Sequence, residues 1–121
     1  MIIGQLGDGM IYFKSDDILY LSENLDDFNY TKSLGKSINI SDWNIFYSKI
    51  NLNNFKCILA TDGVSDDIVA SKEEEFLDTL IFKMADKNLK SRNYVIKDIL
   101  QNWLTKFHND DKTICIAWGN K

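Results

Sequence analysis

Residues 56–67, KCILATDGVSDD, constrain this chain more than any other stretch. Four consecutive apolar residues, Cys57 to Ala60, lead into Thr61-Asp62-Gly63 and then an acidic turn. A short unbroken apolar run bounded by turn residues reads as an interior strand. An aspartate at its end stands where packed core meets solvent, a position at which a rigid scaffold holds reactive groups. The pattern recurs. Residues 113–118 form a second apolar run, preceded by Asp110-Asp111, and residues 1–6 form a third, followed by Gly7-Asp8-Gly9. Core strands that repeatedly meet an aspartate predict an acidic site on a sheet.

The 121 residues suffice for one domain with a real core. A net charge of −4 argues against nucleic-acid binding, which generally needs a basic face. It leaves phosphorylated substrates open, because a bound divalent cation inverts the local charge. Cys57 and Cys115 both lie inside apolar runs and read as buried thiols rather than a disulfide. No apolar run approaches the ~20 residues that span a bilayer. No basic leader precedes an apolar segment, so no secretion signal is expected. The expected compartment is the cytoplasm, without membrane or nucleic-acid partners.

Taken in order, residues 1–6, 10–14 and 18–21 read as short strands separated by turns, an antiparallel meander. Residues 22–44 are polar and aperiodic and read as a long surface excursion with at most one helical turn. Residues 45–50 have a mixed strand pattern, and residues 51–54 read as a turn into a hairpin with the strand at 55–61. A short helix is expected at residues 66–69. Ser71 and Glu74 have the spacing of a capping box for a helix with Phe76, Leu80 and Met84 on one face. After a break at residues 87–91, a second helix carries Ile96, Leu100, Trp103 and Phe107 on one stripe. The final strand is residues 113–118. The order fits an α+β fold, an antiparallel sheet with helices packed on a face.

Asp62 and Asp110, each beside an apolar run and far apart in sequence, are the candidate metal-binding carboxylates. Magnesium takes oxygen ligands, keeps several waters and needs only one or two protein carboxylates, and manganese accepts similar ligands. If the two strands are neighbours, these acids meet at one sheet edge, where a metal relieves their repulsion. A water on such a metal could be positioned against a phosphate ester. Asp8 between glycines fits a simple turn equally well. Asp66 and Asp67 could cap a short helix, and Asp111 is either a supporting residue or merely exposed. His108, the single histidine, reads as a surface or helix-end residue. No Ser-His-Asp, Cys-His or phosphate-loop spacing is present.

As a set, three motifs resemble the metal-dependent protein serine/threonine phosphatases of the 2C type. They are Leu6-Gly7-Asp8-Gly9, Leu59-Ala60-Thr61-Asp62-Gly63-Val64-Ser65-Asp66 and Asp110-Asp111-Lys112-Thr113, in the family's order and with similar separations. The resemblance covers essentially residues 1–121 and corresponds to the C-terminal half of the family's catalytic domain. It implies a four-layer α-β-β-α fold, an antiparallel β-sandwich with flanking helices. It implies two Mn2+ or Mg2+ ions whose bridging water attacks phosphoserine or phosphothreonine in a protein substrate.

By motif match, Asp62 and Asp110 correspond to metal ligands. Asp66 closes the family's DGxxD pattern, while Asp8, Gly63 and Asp111 correspond to supporting or structural positions. The family's phosphate-binding arginine, Glu-Asp pair and DGHGG-like segment do not occur in this chain. No residue is therefore assigned a catalytic role. The chain is expected to be a fragment, inactive alone, binding metal weakly or not at all. It is also expected to contact a missing N-terminal half or to self-associate through exposed sheet. A non-catalytic binding or regulatory domain of phosphatase-like fold is the alternative.

Overall fold

The computed structural model describes residues 1–22, 35, 39–105 and 110–119. Six strands form two antiparallel sheets. β1 (Ile2–Gln5), β2 (Met10–Ser15), β3 (Ile18–Leu21), β4 (Asn44–Tyr47) and β5 (Phe55–Ala60) come first. Three helices follow, α1 (Asp62–Ser65), α2 (Glu73–Met84) and α3 (Leu89–Gln101), and then β6 (Ile114–Gly119). The chain is thus α+β, as its sequence predicts.

The main sheet has the order β3-β2-β5-β6. β2 is nearly all buried because both of its faces are covered. Met10 and Tyr12 point into the main core with Ile58, Ala60, Val64, Leu77, Leu80 and Met84. A buried aliphatic side chain such as Leu77 or Ile58 contributes about 1.5–3 kcal/mol. Ile11 and Phe13 alternate to the opposite face, where Phe13 stacks on Phe55. The two-residue turn at Asp16-Asp17 places Asp16 at φ 47°, a conformation that aspartate tolerates. Asn54 closes over this hairpin by donating to Asp16 Oδ1 at 2.6 Å.

The helices follow from local charge and capping. Glu73, Glu74 and Glu75 occupy the first turn of α2, where the helix dipole favours anions. Asn88 caps α3 by accepting the Ser91 N–H at 3.0 Å. The α2 and α3 faces carrying Leu77, Leu80, Ile96 and Leu100 pack on one side of the sheet.

Several local expectations change. β1 does not join a meander with β2. It pairs with β4 in a separate two-stranded sheet, with Ile3 opposite Phe46. Gly7 turns the chain between the sheets at φ 98°, a conformation natural to glycine. β4 and β5 likewise do not form a hairpin. The short helix starts at Asp62, not residue 66, because Val64 and Ser65 N–H both donate to the Thr61 carbonyl. Lys72, not Ser71, is the residue preceding α2, and Glu73, not Glu74, accepts the Ser71 N–H at 3.2 Å. Glu74 instead turns inward to lysines on the sheet. Trp103 lies beyond the end of α3.

The small sheet approaches the main one through Tyr20 and Phe46, whose ring centroids are 4.9 Å apart. It lies over the β2–β3 side. On the β5–β6 side of that same face, Leu59 is 43% exposed and Cys115 and Ala117 are exposed. Cys115 is therefore not the buried thiol its apolar surroundings predict, and Cys57 is only half-buried. No described helix is long and apolar enough to cross a membrane. Most of the excursion at residues 22–44, as well as Phe107 and His108, lies outside the described residues.

Candidate functional site

Met10, Ala60 and Ile114 stand side by side across β2, β5 and β6. The three acidic motifs therefore leave the main sheet at one end. Gly7-Asp8-Gly9 enters β2 there, Thr61-Asp62-Gly63 leaves β5 there, and Asp110-Asp111 leads into β6.

Two glycines make the contacts. A Cβ at Gly9 would lie 2.7 Å from the Ala60 carbonyl oxygen, so the first motif packs directly on the end of β5. A Cβ at Gly63 would lie 2.7 Å from the Asp111 carbonyl oxygen and 3.0 Å from that of Asp110. The turn that bears Asp62 is thus seated against the backbone that bears Asp110. Real Cβ atoms do not approach oxygen so closely, which accounts for glycine at both positions.

Thr61 locks the arrangement. Its N–H donates to the Thr113 carbonyl at 3.1 Å, and its Oγ1 donates to the Asp111 carbonyl at 2.8 Å. The same Oγ1 accepts the Thr113 N–H at 3.0 Å. On the other side of the site, the buried Gln5 amide donates to the Gly7 carbonyl at 3.3 Å and also to the Gly9 carbonyl. Neither Thr61 nor Gln5 stands out in the sequence as a site residue. A threonine between a core strand and an Asp-Gly pair is the only local signal of the first.

The carboxylates divide into distinct settings. Asp62 is half-buried at the first position of α1, and its Oδ1 accepts the Gly63 N–H at 2.7 Å. This fixes one carboxylate oxygen. Asp110 and Asp111 are exposed. Lys112 Nζ donates to the Asp110 backbone carbonyl at 3.3 Å. Asp8 is exposed in its turn. Asp66 is exposed at the end of α1, with its N–H donating to the Asp62 carbonyl at 3.0 Å. Asp67 has a packing role instead, accepting Trp103 Nε1–H at 2.8 Å, while Trp103 meets Phe76 edge to face.

The donor set is hard oxygen, the class that Mg2+ and Mn2+ take. Among the described residues, no group of three or more His, Cys, Asp and Glu side chains is arranged to hold a metal. What the site offers is two acidic turns held together by backbone contacts.

A second polar cluster lies away from this end. Lys14 and Lys56 both reach Glu74, at 2.7 and 2.8 Å, and Lys56 also reaches Asp78 at 2.6 Å. Hydrogen bonds from Lys14 and then Lys56 pull the Glu74 carboxyl down to about 2. Burial, and then the Glu74 carboxylate, push the neighbouring Tyr12 phenol far above its ordinary value. The cluster ties α2 to β2 and β5.

In comparisons with known proteins, no family model, no curated protein and no solved structure matches this chain.

Proposed function

We propose that the chain is part of a metal-dependent serine/threonine phosphatase domain of the 2C type, with the four-layer α-β-β-α arrangement in the complete domain. The observation that carries this reading is the seating of Gly63 on the Asp110 and Asp111 carbonyls. It joins two sequence-distant acidic turns at one sheet end, in the motif order that the resemblance rests on. Asp62, through the oxygen not held by Gly63 N–H, and Asp110 would hold Mn2+ or Mg2+. Asp8, Gly63, Asp66 and Asp111 would support the site. A bound divalent ion would supply a polarised water and charge neutralisation for phosphate-ester hydrolysis. The chain's own part is to fix the two acidic turns against each other through Thr61 and Gly63.

Two carboxylates suffice for weak binding of one hard cation. A binuclear site and a phosphate-binding arginine would have to come from a second structural half. The open face around Leu59, Cys115 and Ala117 offers that half apolar surface to cover. Self-association over the same face is the other way to cover it. The substrate would be a phosphorylated protein, and the setting the cytoplasm. The second reading is a non-catalytic binding or regulatory domain of the same fold.

Manganese titration followed by electron paramagnetic resonance tests the site. Saturable binding that falls in both Asp62→Asn and Asp110→Asn supports it, and equal binding in both variants removes these residues from it. In-frame sequence upstream of Met1 separates the two readings. An Arg, Glu-Asp and DGHGG set there favours the enzyme, and a genuine start codon without that set favours the binding domain.

A further inference from the structure

β6 pairs with β5 and, among the described residues, with no strand on its other side. Thr61 N–H donates to the Thr113 carbonyl, which fixes the alternation along the pair. Cys115, Ala117 and Gly119 turn their backbone groups toward β5, while those of Ile114, Ile116 and Trp118 face outward. Exposed edges are ordinarily blunted by charges, proline or a bulge. Residues 114–119, ICIAWG, contain no charge and no proline, so among the described residues none of these devices blocks the edge.

A groove of about 650 Å³ runs beside that edge, between β6 and α3. Ile96, Leu100, Ile114 and Ile116 line it. Among the described residues, its charged lining residues are Arg92, Lys97 and Lys112. All three are basic in a chain of net charge −4. Arg92 is held over the Trp118 ring at 4.6 Å, and Lys97 is exposed on α3. A strand edge with an adjoining apolar groove has the features of a strand-addition peptide site, and the basic rim favours a segment with acidic flanks.

We infer that the groove between α3 and the β6 edge binds an extended, acidic segment of a partner protein, which adds to the sheet as a further strand. The outward N–H and C=O groups of Ile114, Ile116 and Trp118 pair with the segment's backbone. An apolar side chain enters the groove, and flanking acids meet Lys97 and Arg92. A second copy is the poorer occupant, because edge-to-edge pairing of two β6 strands would bring both Lys97 rims to one seam. The inference does not rest on the phosphatase reading, since it uses neither the Asp62 carboxylate nor a metal.

The probe is a fluorescein-labelled eight-residue peptide with a valine–threonine–leucine–threonine core and two aspartates at each end, read by anisotropy. Saturable binding is expected. Lys97→Glu and a peptide with lysines in place of the aspartates should each weaken it at least about tenfold, or 1.4 kcal/mol. N-methylation of alternate peptide amides in the pairing register should weaken it as much, and in the other register should leave it unchanged. This last arm leaves the protein untouched, so misfolding cannot explain it. The inference is overturned by no saturation up to about 1 mM peptide, a standard free energy near −4 kcal/mol. It is equally overturned by indifference to both methylation registers, or by a dimer in sedimentation that protects the β6 amides and excludes the peptide.

Discussion

The Gly63 α-carbon is packed so tightly on the Asp111 carbonyl that an added methyl carbon would lie 2.7 Å from its oxygen. Neither element can yield cheaply, since both sides of the contact are backbone. Gly63→Ala is therefore expected to destabilise the fold by about 1–3 kcal/mol. It should also separate the two acidic turns. Urea denaturation measures the first effect and manganese affinity the second. Wild-type stability in the alanine variant would show that the contact has slack.

The Glu74 cluster makes stability depend on acid. Its carboxyl lies near 2 in the folded chain against an ordinary 4.5, so the unfolded chain binds the proton more readily. The stabilisation is complete above about pH 4.5 and is lost as pH falls toward 2. Because the side chains are substantially exposed, solvent screening limits the effect to about 1 kcal/mol. Urea midpoints of wild type and Glu74→Gln should differ at pH 6 and converge toward pH 2.5. A gap that stays constant with pH would remove the ion pairs as its cause.

Cys57 and Cys115 share one face of the main sheet but should react differently. Burial, and then the nearby Cys115, push the Cys57 thiol up to about 11, whereas Cys115 is exposed. Thiolate is the reactive form, so Cys57 should lag well behind Cys115 in a chromogenic disulfide-exchange assay at pH 8. Peptide mapping after partial labelling assigns the fast site. Equal rates would mean that this face opens readily or that Cys57 is not shielded.

Arg92 joins three elements. It donates from Nε to the Met84 carbonyl at 3.0 Å and from a terminal nitrogen to the Ala85 carbonyl at 3.2 Å, while stacking on Trp118. Charge-assisted bonds to the carbonyls at the end of α2 and a cation–π contact predict a loss of about 1–3 kcal/mol in Arg92→Ala. Arg92→Lys should recover less than half of that loss, because an ammonium cannot reproduce the planar fork. Full recovery with lysine would leave charge alone as the source.

The individual strands were legible in the sequence because uninterrupted apolar runs bounded by turn residues admit few other readings. Pairing was not. β1 meets β4 rather than β2 because Gly7 redirects the chain between sheets, and that choice depends on where Phe46 finds Tyr20. The start of α2 departs from its local pattern for a related reason. Ser71 and Glu74 satisfy a local pattern, but Lys14 and Lys56 sit far away in sequence and capture Glu74. At the site, the sequence left the meeting of the Asp62 and Asp110 turns conditional on their strands being neighbours, and β5 and β6 do pair. The Thr61 clasp could not be read in advance, because it depends on the Thr61–Thr113 register.

That clasp also orders events in time. Thr113 N–H reaches Thr61 Oγ1 across 52 positions of sequence, and the intervening chain includes all three helices. Contacts between such distant residues form only after a costly loop closure, and they slow folding. On the ribosome, the Asp62 turn emerges long before β6 exists to meet it. Until translation has passed residue 113, the two acidic turns cannot be clasped together, and a chain stalled earlier carries the first without its partner.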